Sequence, residues 1–335
     1  MSEKSNSIIR LGLVGFGSWT PMSYVPLLAE LPDVQVIGVA ARSERSRRAA
    51  ADVLGNEVAL YDSYEGLIES GRLDAVMVAL TPALNAKAAV AALERGLHVF
   101  MEPPFADPAD TKRVLELAEN GSGVFHSDVE PRYLPAVEAL RGLFGSEGVL
   151  GQLRSFSLDQ EMMLSSEYSG SSIFFGLGAW YVDLLDAFAQ SPATQIKMVP
   201  SRRRDDGLLV TGQATIGYES GVTALWRFGF EGPSELGLSV SLMGDRGEAQ
   251  ADLTTGEYRW RLAGGDWQSA MADCSRPEAG FIGMRESIHA FLAAVRGQGK
   301  TMSGPDVIRR TQPVLLELQR QETLTSRSKP ARKKR

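Results

Sequence analysis

Cysteine is nearly absent, since the 335 residues include only Cys274, and histidine occurs three times. A single thiol closes no internal disulfide, and no Cys and His cluster has the spacing of a structural zinc site, so no metal and a reducing compartment are expected. Long apolar runs are also missing. No stretch reaches the ~20 residues of a membrane helix, and Met1 to Ser7 lack the apolar centre of a secretion signal. A soluble cytoplasmic protein with no membrane partner is the expectation. Positive charge is in deficit: Lys and Arg number 35 against 41 Asp and Glu, for a formal net charge of −6. Six of those bases lie in the last ten positions with no acid among them, so the remainder is more acidic still. That balance argues against a broad nucleic-acid surface, and residues 326–335 are expected to form a solvated basic tail.

What is present is an ordinary globular composition, 44% hydrophobic and 23% charged, in a chain long enough for two domains. From Ile8 to about Phe125, short β-branched runs alternate with amphipathic stretches, the pattern of βαβ units on a parallel sheet. Strands are predicted at 9–14, 34–40, 59–61, 75–79, 98–101 and 124–126, with helices such as 83–95 and 108–120. Asp107 before Pro108 marks a helix start, with a carboxylate cap, proline at the first helical position and Asp110 in the first turn.

Beyond Phe125 a short helix at 131–143, a strand at 153–163 and a helix near 178–188 precede strands at 195–200, 208–218, 222–230, 237–244, 248–252 and 258–262. Turn residues between them point to an antiparallel sheet. Helices at 283–295 and 305–323 follow. The predicted class is α/β plus α+β: an N-terminal domain of βαβ units on a parallel sheet, then an α+β domain with a large, mostly antiparallel open sheet. The expected division is 1–125, 126–302, a C-terminal helix at 303–325, and the tail.

The first strand runs into Gly15-Phe16-Gly17-Ser18-Trp19-Thr20, two glycines of a GxGxxG pattern with Thr20 at the third. Gly15 permits the strand-to-helix turn. Gly17 lets backbone approach a pyrophosphate held by the following helix, and the Thr20 hydroxyl is placed to reach a phosphate. The second strand ends at Ala41-Arg42-Ser43-Glu44-Arg45, with Arg42 where NAD-binding chains carry an acid for the ribose hydroxyl. A guanidinium there suits a 2′-phosphate, so NADP is favoured over NAD, the alternative. The plainer reading of Arg42 is an exposed helix-start arginine.

These residues, with Tyr61-Asp62-Ser63-Tyr64, Asp74 to Pro82, Gly96 to Glu102 and Ser303-Gly304-Pro305-Asp306, resemble the Gfo/Idh/MocA oxidoreductase family as far as about Thr323. The resemblance implies a Rossmann domain, a second domain whose open sheet supports homo-oligomers, and an active site between them. It also implies a dinucleotide site of Gly15, Gly17, Ser18, Trp19, Thr20, Arg42, Ser43, Arg45, Thr81, Pro82, Asn85, Glu102 and Pro103. Family enzymes act on sugars and cyclitols with a Lys from a Glu-Lys-Pro motif and an Asp-x-x-x-His pair. Here Pro103, Gly176 and Trp180 stand at those three positions, and none of them can relay the hydroxyl proton that accompanies hydride transfer.

Candidate replacements are Glu102, His126, Asp128 and Tyr181, with Glu130, Tyr133, Tyr168 and Asp183 nearby. His126 and Asp128 alternate onto one side of their strand as a proton-handling pair; a satisfied structural histidine is the alternative. His98 and His289 are expected to pack. Trp180, Asp183, Met162 and Phe175, with Met163 and Phe174, suggest an apolar substrate pocket for a planar ligand, or else plain core. Three functions follow: an NADPH-dependent reductase of an imine or conjugated double bond, a catalytically silent dinucleotide sensor or scaffold, and a sugar dehydrogenase with substituted acid/base groups.

Overall fold

Six parallel strands in the order β3-β2-β1-β4-β5-β6 form the first sheet: β1 Ile9–Val14, β2 Val34–Ala40, β3 Ala59–Tyr61, β4 Ala75–Val78, β5 His98–Met101 and β6 Phe125–Ser127. The computed structural model describes residues 8–103, 107–164, 172–273 and 281–327. Helices α1 Val25–Ala29, α2 Glu44–Leu54, α3 Tyr64–Glu69, α4 Pro82–Leu93 and α5 Pro108–Asn120 connect the strands. Because helices cover both faces, the strands read as continuous apolar runs: Leu11, Leu13, Val76, Val78, Val99 and Phe100 are all buried. The predicted start of α5 is observed, with Asp107 Oδ1 accepting from Ala109 N at 2.7 Å.

The chain divides into two units that are discontinuous in sequence. The first takes the described residues of 1–130 and 276–308, the second those of 131–275 and 309–335. This corrects the expected division at 125 and 303. The cause is the helix Met284–Val295, numbered α8 in chain order after α6 Pro135–Gly142 and α7 Ala179–Ala189. Its apolar stripe of Met284, Ile288, Phe291 and Leu292 packs in one cluster with Leu11, Tyr24 and Phe100. Burying such side chains contributes ~2 kcal/mol each, and Arg296 pairs with Asp33 at 2.6 Å at one end. His289 falls on the exposed side of α8, where a packed histidine was expected.

The second unit holds an eight-stranded sheet in the order β14-β13-β12-β11-β7-β10-β9-β8. Its strands are β7 Leu153–Met163, β8 Ala193–Arg203, β9 Leu209–Tyr218, β10 Thr223–Gly229, β11 Glu231–Gly244, β12 Gly247–Asp252, β13 Glu257–Leu262 and β14 Gln268–Met271. Every pairing is antiparallel except β7 with β10. Strand β14 was not predicted. One face buries Phe156, Leu158, Trp226, Phe228, Val240 and Leu242, while alternate positions such as Arg227, Ser239 and Ser241 are exposed. The last helix, α9 Pro305–Arg327, clamps β8 through Gln321, which accepts from Met198 N and donates to Ile196 O, each at 2.8 Å. It runs past the expected end at 323, so Ser326 and Arg327 are helical, and the rest of the basic tail lies outside the described residues. Among the described residues no helix is long and apolar enough to cross a membrane, and no group of side chains has metal-binding geometry.

Candidate active site

The turn after β1 is built as the glycine pattern requires. Gly15 has φ +100°, and a Cβ there would lie 2.2 Å from the Ala79 carbonyl oxygen, so no other residue fits. Gly17 and Ser18 are exposed, and a Cβ on Gly17 would meet nothing within 4 Å. Open space therefore lies beside the turn that precedes a helical run from Thr20. That run opens as one turn of π-helix, Thr20–Tyr24, before α1. Thr20 is buried and its hydroxyl donates to Gly15 O at 3.0 Å. Its donor is spent on the turn, which corrects the expectation of a phosphate contact.

At the end of β2, Arg42 and Arg45 are exposed and form no ion pair among the described residues. Neighbouring arginines are committed: Arg47 donates to Ala41 O and Arg42 O at 2.7 and 2.8 Å, and Arg48 pairs with Glu44. Ser43 caps α2, accepting from Ser46 N at 3.1 Å, so its hydroxyl has a structural duty. Thr81 is exposed at the start of α4 and makes no side-chain cap bond; Pro82 follows it, half-buried. Asn85 is buried, accepting from Leu80 N at 2.8 Å and donating to Glu102 O at 3.0 Å. It ties the ends of β4 and β5 together rather than presenting its amide to a ligand.

Glu102 follows β5 and is 7% exposed. Its Oε1 accepts from Trp19 Nε1 at 2.6 Å and from the buried Tyr24 hydroxyl, and Trp19 is in tilted contact with Phe281. Two donors thus converge on one oxygen, so a proton carried by Glu102 sits on Oε2. Burial pushes this carboxyl up to about 7 against the pull of its hydrogen bonds from Tyr24, Trp19 and Asp128. Asp128 is fully buried and held well above the usual carboxylate range by burial and by the charges of Glu130 and Glu102. Its Oδ2 is buried without a hydrogen-bond partner among the described residues. Glu130 is likewise buried, and its backbone carbonyl lies 2.3 Å from where a Cβ on Gly283 would sit, which explains the glycine at φ +82° before α8. Pro103 is half-buried beside Glu102.

His126 is fully buried, stacked on Phe100 at 4.8 Å and edge-on to Phe291 at 5.8 Å. Ser287 Oγ donates to Asp128 Oδ1 at 2.8 Å and stands 3.0 Å from His126 Nε2, while Thr301 Oγ1 is 2.7 Å from Nδ1. The directions follow from those contacts: Nε2–H donates to Ser287, and Nδ1 accepts from Thr301. The expected pair therefore exists only through Ser287, and His126 faces the aromatic interior rather than open space. His98 is structural, its Nδ1 accepting from Val124 N at 2.9 Å.

In the second unit Tyr181 is buried against Trp226 and Phe230, and its hydroxyl donates to Met162 Sδ at 3.8 Å. Asp183 is fully buried in a two-pronged pair with Arg132, at 2.7 and 2.8 Å. Burial still pushes it up to about 6 against the Arg132 charge. Asp186 joins them, accepting from Arg310 Nε. These are the contacts of a helix anchor. Phe174 is core, Phe175 half-buried and Met163 exposed, while Gly176 lies in a second π-turn, Phe174–Gly178, just before α7. Trp180 is half-buried, and its Nε1–H is buried without a hydrogen-bond partner among the described residues. Tyr133 is half-buried; Tyr168 and Cys274 lie outside the described residues. Sequence reasoning missed Tyr24, Ser287, Thr301 and Arg132.

Residues 9–128 match the Gfo/Idh/MocA model, an oxidoreductase family with an NAD-binding Rossmann fold. The chain is 28% identical over 230 residues to D-xylose 1-dehydrogenase (NADP(+)) 2 of Haloferax volcanii, covering 66% of this chain and 70% of that protein. It is 33% identical over 150 residues to a dTDP-3,4-didehydro-2,6-dideoxy-alpha-D-glucose 3-reductase of Streptomyces violaceoruber, covering 44% and 43%. Among solved structures, a dehydrogenase from Chromobacterium violaceum aligns with TM-score 0.80 at 17% identity, over 96% of this chain and 100% of that one. A 3-ketoreductase from Actinomadura kijaniata in complex with TDP-benzene and NADP aligns at 0.74 and 20% identity, over 92% and 96%.

Proposed function

We propose that this chain is a Gfo/Idh/MocA oxidoreductase, an NADPH-dependent reductase whose proton chemistry does not use a Lys and an Asp–His pair. The observation that carries this reading is the glycine turn. Gly15 is locked into a conformation only glycine adopts, and the space beside Gly17 is open, which is how a strand-to-helix turn receives a pyrophosphate. Arg42 and Arg45, uncommitted at the end of β2, are the residues that would hold a 2′-phosphate. Ser18 and Thr81 flank the turn with exposed hydroxyls, and the NADP of the Haloferax relative's name agrees with the arginines.

Pro103, Gly176 and Trp180 occupy the three positions where the family resemblance expects its proton carriers. A substrate that needs little acid–base help, an imine or a conjugated double bond, suits that set, and the unpartnered Trp180 N–H with Phe175 and Met162 suits a planar ligand. The names of the relatives favour a second substrate class, keto groups on sugars. The test is calorimetry with NADPH and NADH, followed by stopped-flow oxidation of NADPH with a panel of imines, enones and keto sugars. Tight NADPH binding and acceleration by one class are expected. Binding without turnover on any class would leave a dinucleotide sensor, and absence of binding would end the reading. The exposed face of the eight-stranded sheet is the surface on which a second copy would pair, which sedimentation checks directly.

A further inference from the structure

We propose that Glu102 is the proton donor of the reductive step, carrying its proton on Oε2 and refilled from Asp128, which in turn sits at the end of the Thr301–His126–Ser287 hydrogen-bond chain. This rests on the NADPH-reductase reading above. Glu102 is at the carboxyl edge of a 3-2-1-4-5-6 parallel sheet, the edge on which ligands of such folds bind. It is joined to the glycine turn by Trp19 and to the following helix by Tyr24, both donating to Oε1. Those two donors fix the carboxyl plane and leave Oε2 as the proton-bearing atom. Behind it the donors all point one way: Thr301 O–H to His126 Nδ1, His126 Nε2–H to Ser287 Oγ, and Ser287 O–H to Asp128 Oδ1.

When bound, the reduced nicotinamide supplies a hydride, whose electron pair forms the new C–H bond at the substrate carbon. The π pair of the C=N, C=C or C=O bond moves to the neighbouring atom, which takes the proton from Glu102 Oε2. Glu102 is left as carboxylate and takes up a proton again from Asp128, the neighbouring buried carboxyl. The groups acting on Glu102 are Trp19, Tyr24 and Asp128, with Glu130 acting on Asp128 and His126 one hydroxyl beyond it. No Lys or Arg contributes to the balance of either carboxyl, so burial raises both and Glu102 exchanges its proton near neutral pH.

The experiment compares wild type, Glu102→Gln and Trp19→Phe. Glu102→Gln keeps both hydrogen bonds to Oε1 but carries no transferable proton, so single-turnover oxidation of saturating NADPH should fall by ~10²–10⁴-fold. Without any cofactor, wild-type tryptophan emission should show a pH transition from the indole on Glu102, absent in both variants. Turnover by Glu102→Gln at the wild-type rate, or an emission transition that survives it, would overturn the proposal and leave the reductase reading standing. Wild type that binds NADPH yet oxidises it with no substrate class would overturn both.

Discussion

The two units bury carboxylates in opposite ways. In the second unit, Asp183 and Asp186 sit under guanidinium groups, Arg132 and Arg310, held by paired hydrogen bonds. In the first, Glu102 and Asp128 are just as deep, yet hydroxyls, an indole and a neighbouring acid take the place of arginine. A carboxylate clasped by arginine is held in place by paired, charge-assisted hydrogen bonds and serves the architecture. A buried carboxyl with only neutral donors can hold or release a proton at little cost, which is the property acid–base chemistry needs. The largest consequence lies on the structural side. Arg132→Met leaves Asp183 buried without its partner, and a loss of about 3–5 kcal/mol in chemical denaturation is expected. A loss below 1 kcal/mol would mean that the pair is not the anchor the geometry describes.

Much of this contrast was illegible before the fold was known. The glycine turn, the parallel strands and the helix start at Asp107 were readable because each is a local pattern whose physics needs only neighbours in sequence. Glu102 was also found, from its place after the fifth strand. Its partners were not. Tyr24 looks like any aromatic on a short helix, and Ser287 and Thr301 reach His126 across 161 and 175 positions of chain. The same distance hid the return of α8 to the first sheet, because an amphipathic helix announces that it will pack but not where. Asp183 was named beside the candidate pocket, but nothing in the sequence linked it to Arg132.

Ser287 tests the neutral network next. Ser287→Ala removes the hydroxyl that serves both His126 Nε2 and Asp128 Oδ1, leaving two buried polar atoms without their partner. A destabilisation of about 1–3 kcal/mol is expected from equilibrium unfolding, smaller than for Arg132→Met because no formal ion pair is broken. Equal losses in the two variants would erase the distinction between the units.

The effect that is smallest at acid pH is the most discriminating across a range. Glu102 has a folded pKa raised from 4.5 to about 7, so the folded protein keeps a proton that the unfolded chain has already lost. The stability this proton contributes is complete below the unfolded value and disappears as pH rises through the folded one, with a slope of at most ~1.4 kcal/mol per pH unit between them. Glu102→Gln should change stability by no more than ~1 kcal/mol at the acid end, since the amide still accepts from Trp19 and Tyr24, and should flatten the decline above it. Asp183, raised from 3.8 to about 6 by burial, loses stability in the same direction, and its contribution persists in the variant. The difference between the two denaturation profiles therefore isolates Glu102. A difference that stays constant from pH 4.5 to 7 would show that the carboxyl titrates as it does in the unfolded chain, and the contrast between the two kinds of buried acid would fall with it.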